Sequence, residues 1–431
     1  MQSSESFRPV NTPPAAGPRQ TDWLSIGQLT LGGLGLGLSL LSAALLGIFG
    51  LSMVFGETGL NVEATTILGM SWVSLFVAAL TIPSIIFSLR RLLSRPVEVQ
   101  AGSEVQTAGE TWSSKNLRKA TLVLLLWPLL VLVGMQISEQ ASLSWLVLPP
   151  LQLLIIALPT WWLVEVLRYK LPATSRRRDW GLVNFSIFVT TPALMLVEII
   201  VFALLLVVFV LWISSQPDLI AEIERIAGQI MLGPADPQAI VDIVAPYLAN
   251  PWVILGTLGM AAILVPLIEE LIKPLGVLLL AGRNPTPAEG FIAGALSGAT
   301  FGLVESLLYM TNPAGDGWAV LAVGRTGTLL LHTATTALVG WAMADAFRGR
   351  GFMRFLGAYL LAVALHGLWN GLAVLAGFGA IIETAPDSLV FLESLTRISP
   401  FLIVFLGVIL FGVLLWGNRR LRQQAAATTG S

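Results

Sequence analysis

The stretch LIEELIKP, residues 267–274, lies between LGTLGMAAILV (255–265) and LGVLLLAG (275–282). Two adjacent carboxylates and a lysine thus sit inside an apolar run long enough to cross a bilayer. A charge at mid-bilayer depth costs about 2.5–3.5 kcal/mol on insertion scales, so such residues mark function by default. Glu269 and Glu270 point about 100° apart on a helix. Lys273 is four residues from Glu269 and three from Glu270, and can pair with either. Pro266 and Pro274 cannot donate to the carbonyls of Ala262 and Glu270, so both ends of the pair are expected to kink. Irregular backbone at that depth is tolerated only inside protein or beside a wet cavity.

The rest of the chain fits a membrane setting. Its 431 residues are 55% hydrophobic and 11% charged, against about 25% charged for a soluble domain. The formal net charge of -1 offers no basic surface for nucleic acid. Without a cysteine there is no disulfide, thiolate metal site or cysteine nucleophile. A span needs about 20 apolar residues. Ten are expected: 26–55, 65–88, 119–137, 144–167, 181–213, 251–281, 288–310, 319–345, 353–378 and 397–418. The fold class is therefore all-α, a polytopic helical bundle. Alternate connections starting with the N-terminal tail hold 20 of the 24 Lys and Arg, the opposite set two. That bias puts both termini in the cytoplasm.

The organisation follows. Residues 1–22 read as a disordered cytoplasmic tail and 23–213 as a five-span region. Residues 214–250 read as an extracytoplasmic loop with two amphipathic helices, and 251–380 as a four-span core. Residues 381–418 hold the last span and 419–431 a tail. The protein is read as multi-pass in the membrane, the inner membrane if the cell is prokaryotic.

The four-span core gathers the chemistry. Gly290, Gly294, Gly298 and Gly302 recur every four residues, a small-residue face that admits a close neighbour, and Glu305 falls near it. His332 and His366 are the only histidines. Each lies about 13 residues into its span, at a depth near that of Glu269. Asn370 stacks one turn from His366. Arg325 sits two turns from His332, where it can snorkel or pair. Glu198, the lone deep acid of the first five spans, reads as structural. Carboxylates and imidazoles together suit general acid–base catalysis. They suit equally a divalent metal on Glu269, His332 and His366. The absence of an HExxH pair weighs for a metal-free site.

These residues resemble the PrsW family of membrane proteases, in the superfamily of CAAX prenyl endopeptidases and Abi-type proteins. EELIK (269–273) is similar to EExxK, FGLVE (301–305) to FxxxE, and HTATT (332–336) and HGLWN (366–370) to the later histidine motifs. The resemblance covers about 250–378. It implies an intramembrane glutamic endopeptidase cutting a membrane-anchored protein within the lipid bilayer. It implies that Glu269 and Glu270 activate water, with Lys273 orienting them beside the Pro274 kink. Glu305 and His332 complete the acid–base set, and His366 and Asn370 form the oxyanion site. No cofactor is expected, with a divalent metal left open. Two rivals use the same residues: a proton-coupled transporter, and a non-catalytic scaffold or resistance protein. A hydrated cavity between spans six and nine, wetted from the cytoplasmic side, is expected around the glutamates.

Overall fold

The computed structural model describes residues 22–56, 62–94, 112–232, 243, 247, 250–311, 317–349, 351–378 and 390–429. Among these, the regular elements are all helical. Helices α1 (Trp23–Phe55) and α2 (Val62–Leu93) form an antiparallel pair. The third span is split into α3 (Ser114–Leu124) and α4 (Trp127–Ser138). Pro128 lacks the N–H that would bond the Leu124 carbonyl, and the helix restarts there. Helix α5 (Ala141–Arg168) is followed by α6 (Arg176–Phe185), a π turn (Ser186–Thr190) and α7 (Thr191–Ser214). Pro192 again leaves carbonyls unserved, and the Thr191 hydroxyl donates to the Ser186 carbonyl at 2.9 Å.

Helix α8 (Pro217–Leu232) is the first of the two amphipathic helices expected between spans five and six. The second falls outside the described residues apart from Ile243 and Tyr247, as do residues 1–21 of the expected tail. The sixth span comprises α9 (Pro251–Gly259), a π turn (Met260–Leu264), α10 (Val265–Ile272) and a tight 3₁₀ stretch (Lys273–Leu280). Then come α11 (Pro287–Met310), α12 (Trp318–Phe347), α13 (Phe352–Gly377) and α14 (Val390–Thr429). Helix α14 runs on through residues that the sequence sets apart as a tail. The Asn418 amide ties it to the carbonyls of Leu167 and Tyr169, and Leu421 is buried.

Nine helical segments among the described residues are long and apolar enough to cross a membrane. The eighth of the ten expected spans, α12, has 30 residues but is not among them. Arg325, His332 and its threonines lower its apolarity, which is tolerable because α12 is an interior helix. One apolar core joins α11–α14 to the end of α5, and a second joins α2, α4 and α5 to the far ends of α11 and α12.

Candidate active site

The α11–α12 contact sets the frame. A Cβ at Gly294 would strike the Thr336 carbonyl, and one at Gly298 the His332 carbonyl. The glycine stripe therefore lets α11 lie on the backbone of α12 at the level of His332. Gly302 and Phe301 flank the His332 ring, Phe301 edge-on with centroids 5.0 Å apart.

The broken sixth span is braced against this pair by α13. Pro266 leaves the Ala262 carbonyl without its helical donor, and that carbonyl rests on Gly367, where a Cβ would collide with it. Asn370 Nδ2 donates to the Ala261 carbonyl at 3.1 Å, and Tyr359 Oη to the Leu267 carbonyl at 2.9 Å. On the other side the Ser297 hydroxyl donates to the Lys273 carbonyl at 2.5 Å and meets Ser186 at 3.0 Å. Three carbonyls of the broken span, those of Ala261, Leu267 and Lys273, thus gain side-chain donors from α13 and α11, as buried backbone requires.

So held, α10 carries its charges inward. Glu269, Glu270, Lys273, His332 and His366 are all buried. The Lys273 ammonium donates to Glu270, lies 2.9 Å from His332 Nδ1 and 3.3 Å from Glu269 Oε2. Glu270 Oε1 also accepts from Thr335 Oγ1 at 3.1 Å and from His366 Nδ1 at 2.8 Å. Glu305 Oε2 is 2.8 Å from His332 Nε2 and 2.6 Å from Arg325 Nη2, whose guanidinium covers the Tyr309 ring. The two imidazoles meet edge to face with centroids 5.1 Å apart.

These bonds fix the tautomers. An ammonium donating to His332 Nδ1 leaves the proton on Nε2, which gives it to Glu305. His366 gives its Nδ1 proton to Glu270, so its Nε2 carries a lone pair. That lone pair faces Glu269 Oε2 at 3.9 Å, and His332 Nδ1 lies 3.8 Å from the same oxygen. Glu269 Oε2 is buried without a hydrogen bond. The Lys273 ammonium serves two of these acceptors, His332 Nδ1 and Glu269 Oε2, and the His366 Nε2 lone pair still calls for a cation or a water proton.

One ligand atom from each of Glu269, His332 and His366 lies within 4.8 Å of the others. Each imidazole is oriented through its other nitrogen by a carboxylate, the usual arrangement behind metal-binding histidines. The residues therefore fit a divalent metal. Lys273 is the competitor, since its ammonium now faces His332 Nδ1. With three carboxylates against Lys273 and Arg325, the cluster holds one formal negative charge.

The structure brings Glu269, Glu270, Lys273, Glu305, His332 and His366 together. Asn370 is one turn away and engaged with backbone, and Pro274 opens the 3₁₀ stretch. Tyr359 joins the set without having been singled out, and Arg325, read from the sequence as able to pair, finds its partner in Glu305. Thr335 lies one turn from His332 and was legible on that spacing. Glu198 of α7 lies near enough to Glu305 and Lys273 to act on both electrostatically. Its signal was that it stood alone. The exposed edge of the cluster is Glu305, whose side chain is 22% accessible. Arg325 lies beside that edge, and on the other side the 3₁₀ stretch and Ser297 cover Lys273.

Residues 226–409 match the family model described as PrsW family intramembrane metalloprotease. That span is PrsW-like; it takes in every clustered residue except Glu198 and leaves out the first five spans. Neither a curated protein nor a solved structure matches the chain.

Proposed function

We propose that this PrsW-like chain is an intramembrane endopeptidase whose reaction centre is the Glu269–His332–His366 cluster, and that it hydrolyses a peptide bond of a membrane-anchored protein. The observation that carries the reading is the paired orientation of both imidazoles by Glu270 and Glu305, with their other nitrogens turned to a Glu269 oxygen that has no hydrogen bond and the Lys273 ammonium at 3.3 Å.

Glu269, His332 and His366 would hold a divalent metal, with Lys273 keeping its bond to Glu270 and giving up that to His332. Bound there, the metal would supply Lewis-acid polarisation of the scissile carbonyl and an acidified water. The chain's own groups do the rest. Glu270 Oε2, buried and without a hydrogen bond, takes the proton as water oxygen bonds to the carbonyl carbon. It returns that proton to the amine as the C–N bond breaks. Lys273 is the nearest cation to the developing oxyanion. Arg325 anchors Glu305, and Asn370 acts as a positioning residue that holds the π turn before α10. The preference for a metal-free centre drawn from the missing HExxH pair gives way here, since these ligands come from three helices.

The test is cleavage of a single-span reporter by the full chain in vesicles. Glu269→Gln and Glu270→Gln should each lower the rate at least about a hundredfold while leaving the melting temperature nearly unchanged. Full activity in both variants would remove the assignment.

A further inference from the structure

At the arginine-rich end of the bundle a second feature stands apart from the cluster. A cavity of about 940 Å³ opens between the starts of α11 and α13 and the ends of α12 and α14. Its α12 wall begins at Leu338, six residues beyond His332, or roughly 9 Å of helix rise. Helix turn carries that wall away from the face on which His332 meets Lys273.

The cavity has a charged mouth and an apolar wall. Arg348, Arg354 and Arg420 line it, with Glu289 and Asp345 as the acids. Both acids are already engaged, Glu289 by Arg178 at 2.8 Å and Asp345 by Arg354 at 3.2 Å. Among the described residues neither Arg348 nor Arg420 has an ion-pair partner, and Arg420 lies over the Trp416 ring. Two guanidinium groups are therefore uncompensated at one mouth. A smaller cavity of about 410 Å³ shares Arg420 and adds Arg419 and Trp416, extending the basic surface around α14. Behind the mouth the wall is Leu338, Trp341, Ala358 and Leu361. Leu361 is 51% exposed, so this wall continues onto the outer side of α13.

We propose that this cavity binds an anionic phospholipid, its phosphate between Arg348 and Arg420 and its acyl chain along Leu361. Guanidinium forks match phosphate oxygens in pairs, and basic pockets between helices at the membrane interface suit lipid headgroups. A free phosphate would use the mouth alone; an amphiphile uses mouth and wall. The site needs nothing from the protease reading and stands or falls separately.

The test uses the full chain in phosphatidylcholine nanodiscs titrated with fluorescent phosphatidylglycerol. Arg348→Gln and Arg420→Gln should each weaken binding about fivefold, the loss of one interfacial charge. Arg348→Lys and Arg420→Lys, which keep charge but lose the fork, should fall between. Leu361→Ser should weaken the lipid without touching either arginine. Arg90→Gln, at the same end on α2, should change nothing, and the melting temperatures of all variants should hold. Equal losses in Arg90→Gln would reduce the effect to surface charge and overturn the site. Displacement of the lipid by millimolar inorganic phosphate, or no effect of Leu361→Ser, would overturn the lipid as occupant. Unchanged binding in both arginine-to-glutamine variants would overturn the proposal outright.

Discussion

The most apolar window of α11 is buried over 89% of its length, whereas that of the sixth span, α9 through the 3₁₀ stretch, is buried over 11%. Both carry residues of the same cluster. Helix α11 is regular along its length and reaches α12 through a glycine face. The sixth span is interrupted by a π turn and a 3₁₀ stretch, and is held by side-chain hydrogen bonds to three of its carbonyls. One region is fixed by backbone contact, the other by polar braces. The difference lets the sixth span present Glu269, Glu270 and Lys273 inward while its start, α9, stays largely exposed. Its breaks lie on both sides of the carboxylates, at the two prolines.

The comparison can be broken most severely at Gly298. Gly298→Ala puts a methyl group against the His332 carbonyl, and overpacking of this kind costs about 1–3 kcal/mol. Melting temperature and activity should fall together, since His332 moves with the backbone. A stable, fully active variant would show that the contact is not tight. In the braced region, Asn370→Ala removes the donor to Ala261 and should cost about 1 kcal/mol. Here kcat should fall more than KM rises, and faster hydrogen exchange of the 260–264 amides should accompany it. The same glycine-to-alanine change in the exposed region should have the opposite sign. Gly256 of α9 has nothing within reach of an added Cβ, so Gly256→Ala should raise stability by up to about 0.5–1 kcal/mol. A loss there would mean that α9 is packed in the membrane. The smallest effect lies outside the bundle. Arg225 and Tyr247 hold the Glu222 carboxyl down from 4.5 to about 2. A depressed acid stabilises above its ordinary range and loses that contribution as pH falls. Protease protection of α8 should therefore decline between pH about 5 and 2, and a flat profile would detach Glu222 from its order.

Much of this was legible in the chain. Apolar runs gave the spans, and the four-residue glycine period gave the face on which α11 meets α12. The lone histidines and the EELIK stretch gave the cluster. What escaped depends on contacts between distant segments. Asn370 lies one turn from His366, which placed it at the site, but only the bulged carbonyl of Ala261 decides where its amide points. Arg325 was visible as a buried cation without its partner, since Glu305 reaches it from another helix. The metal question turned on the absent HExxH pair, a rule for ligands on one helix. Here the three candidate ligands come from α10, α12 and α13, and no local spacing records them.

Metal content, read by elemental analysis of the purified full chain, tests the central claim most directly. The account predicts about one equivalent of a divalent metal per wild-type chain, lost in Glu269→Gln, His332→Ala and His366→Ala and retained in Glu198→Gln. A wild-type chain that cleaves its reporter at full rate with no stoichiometric metal would contradict it.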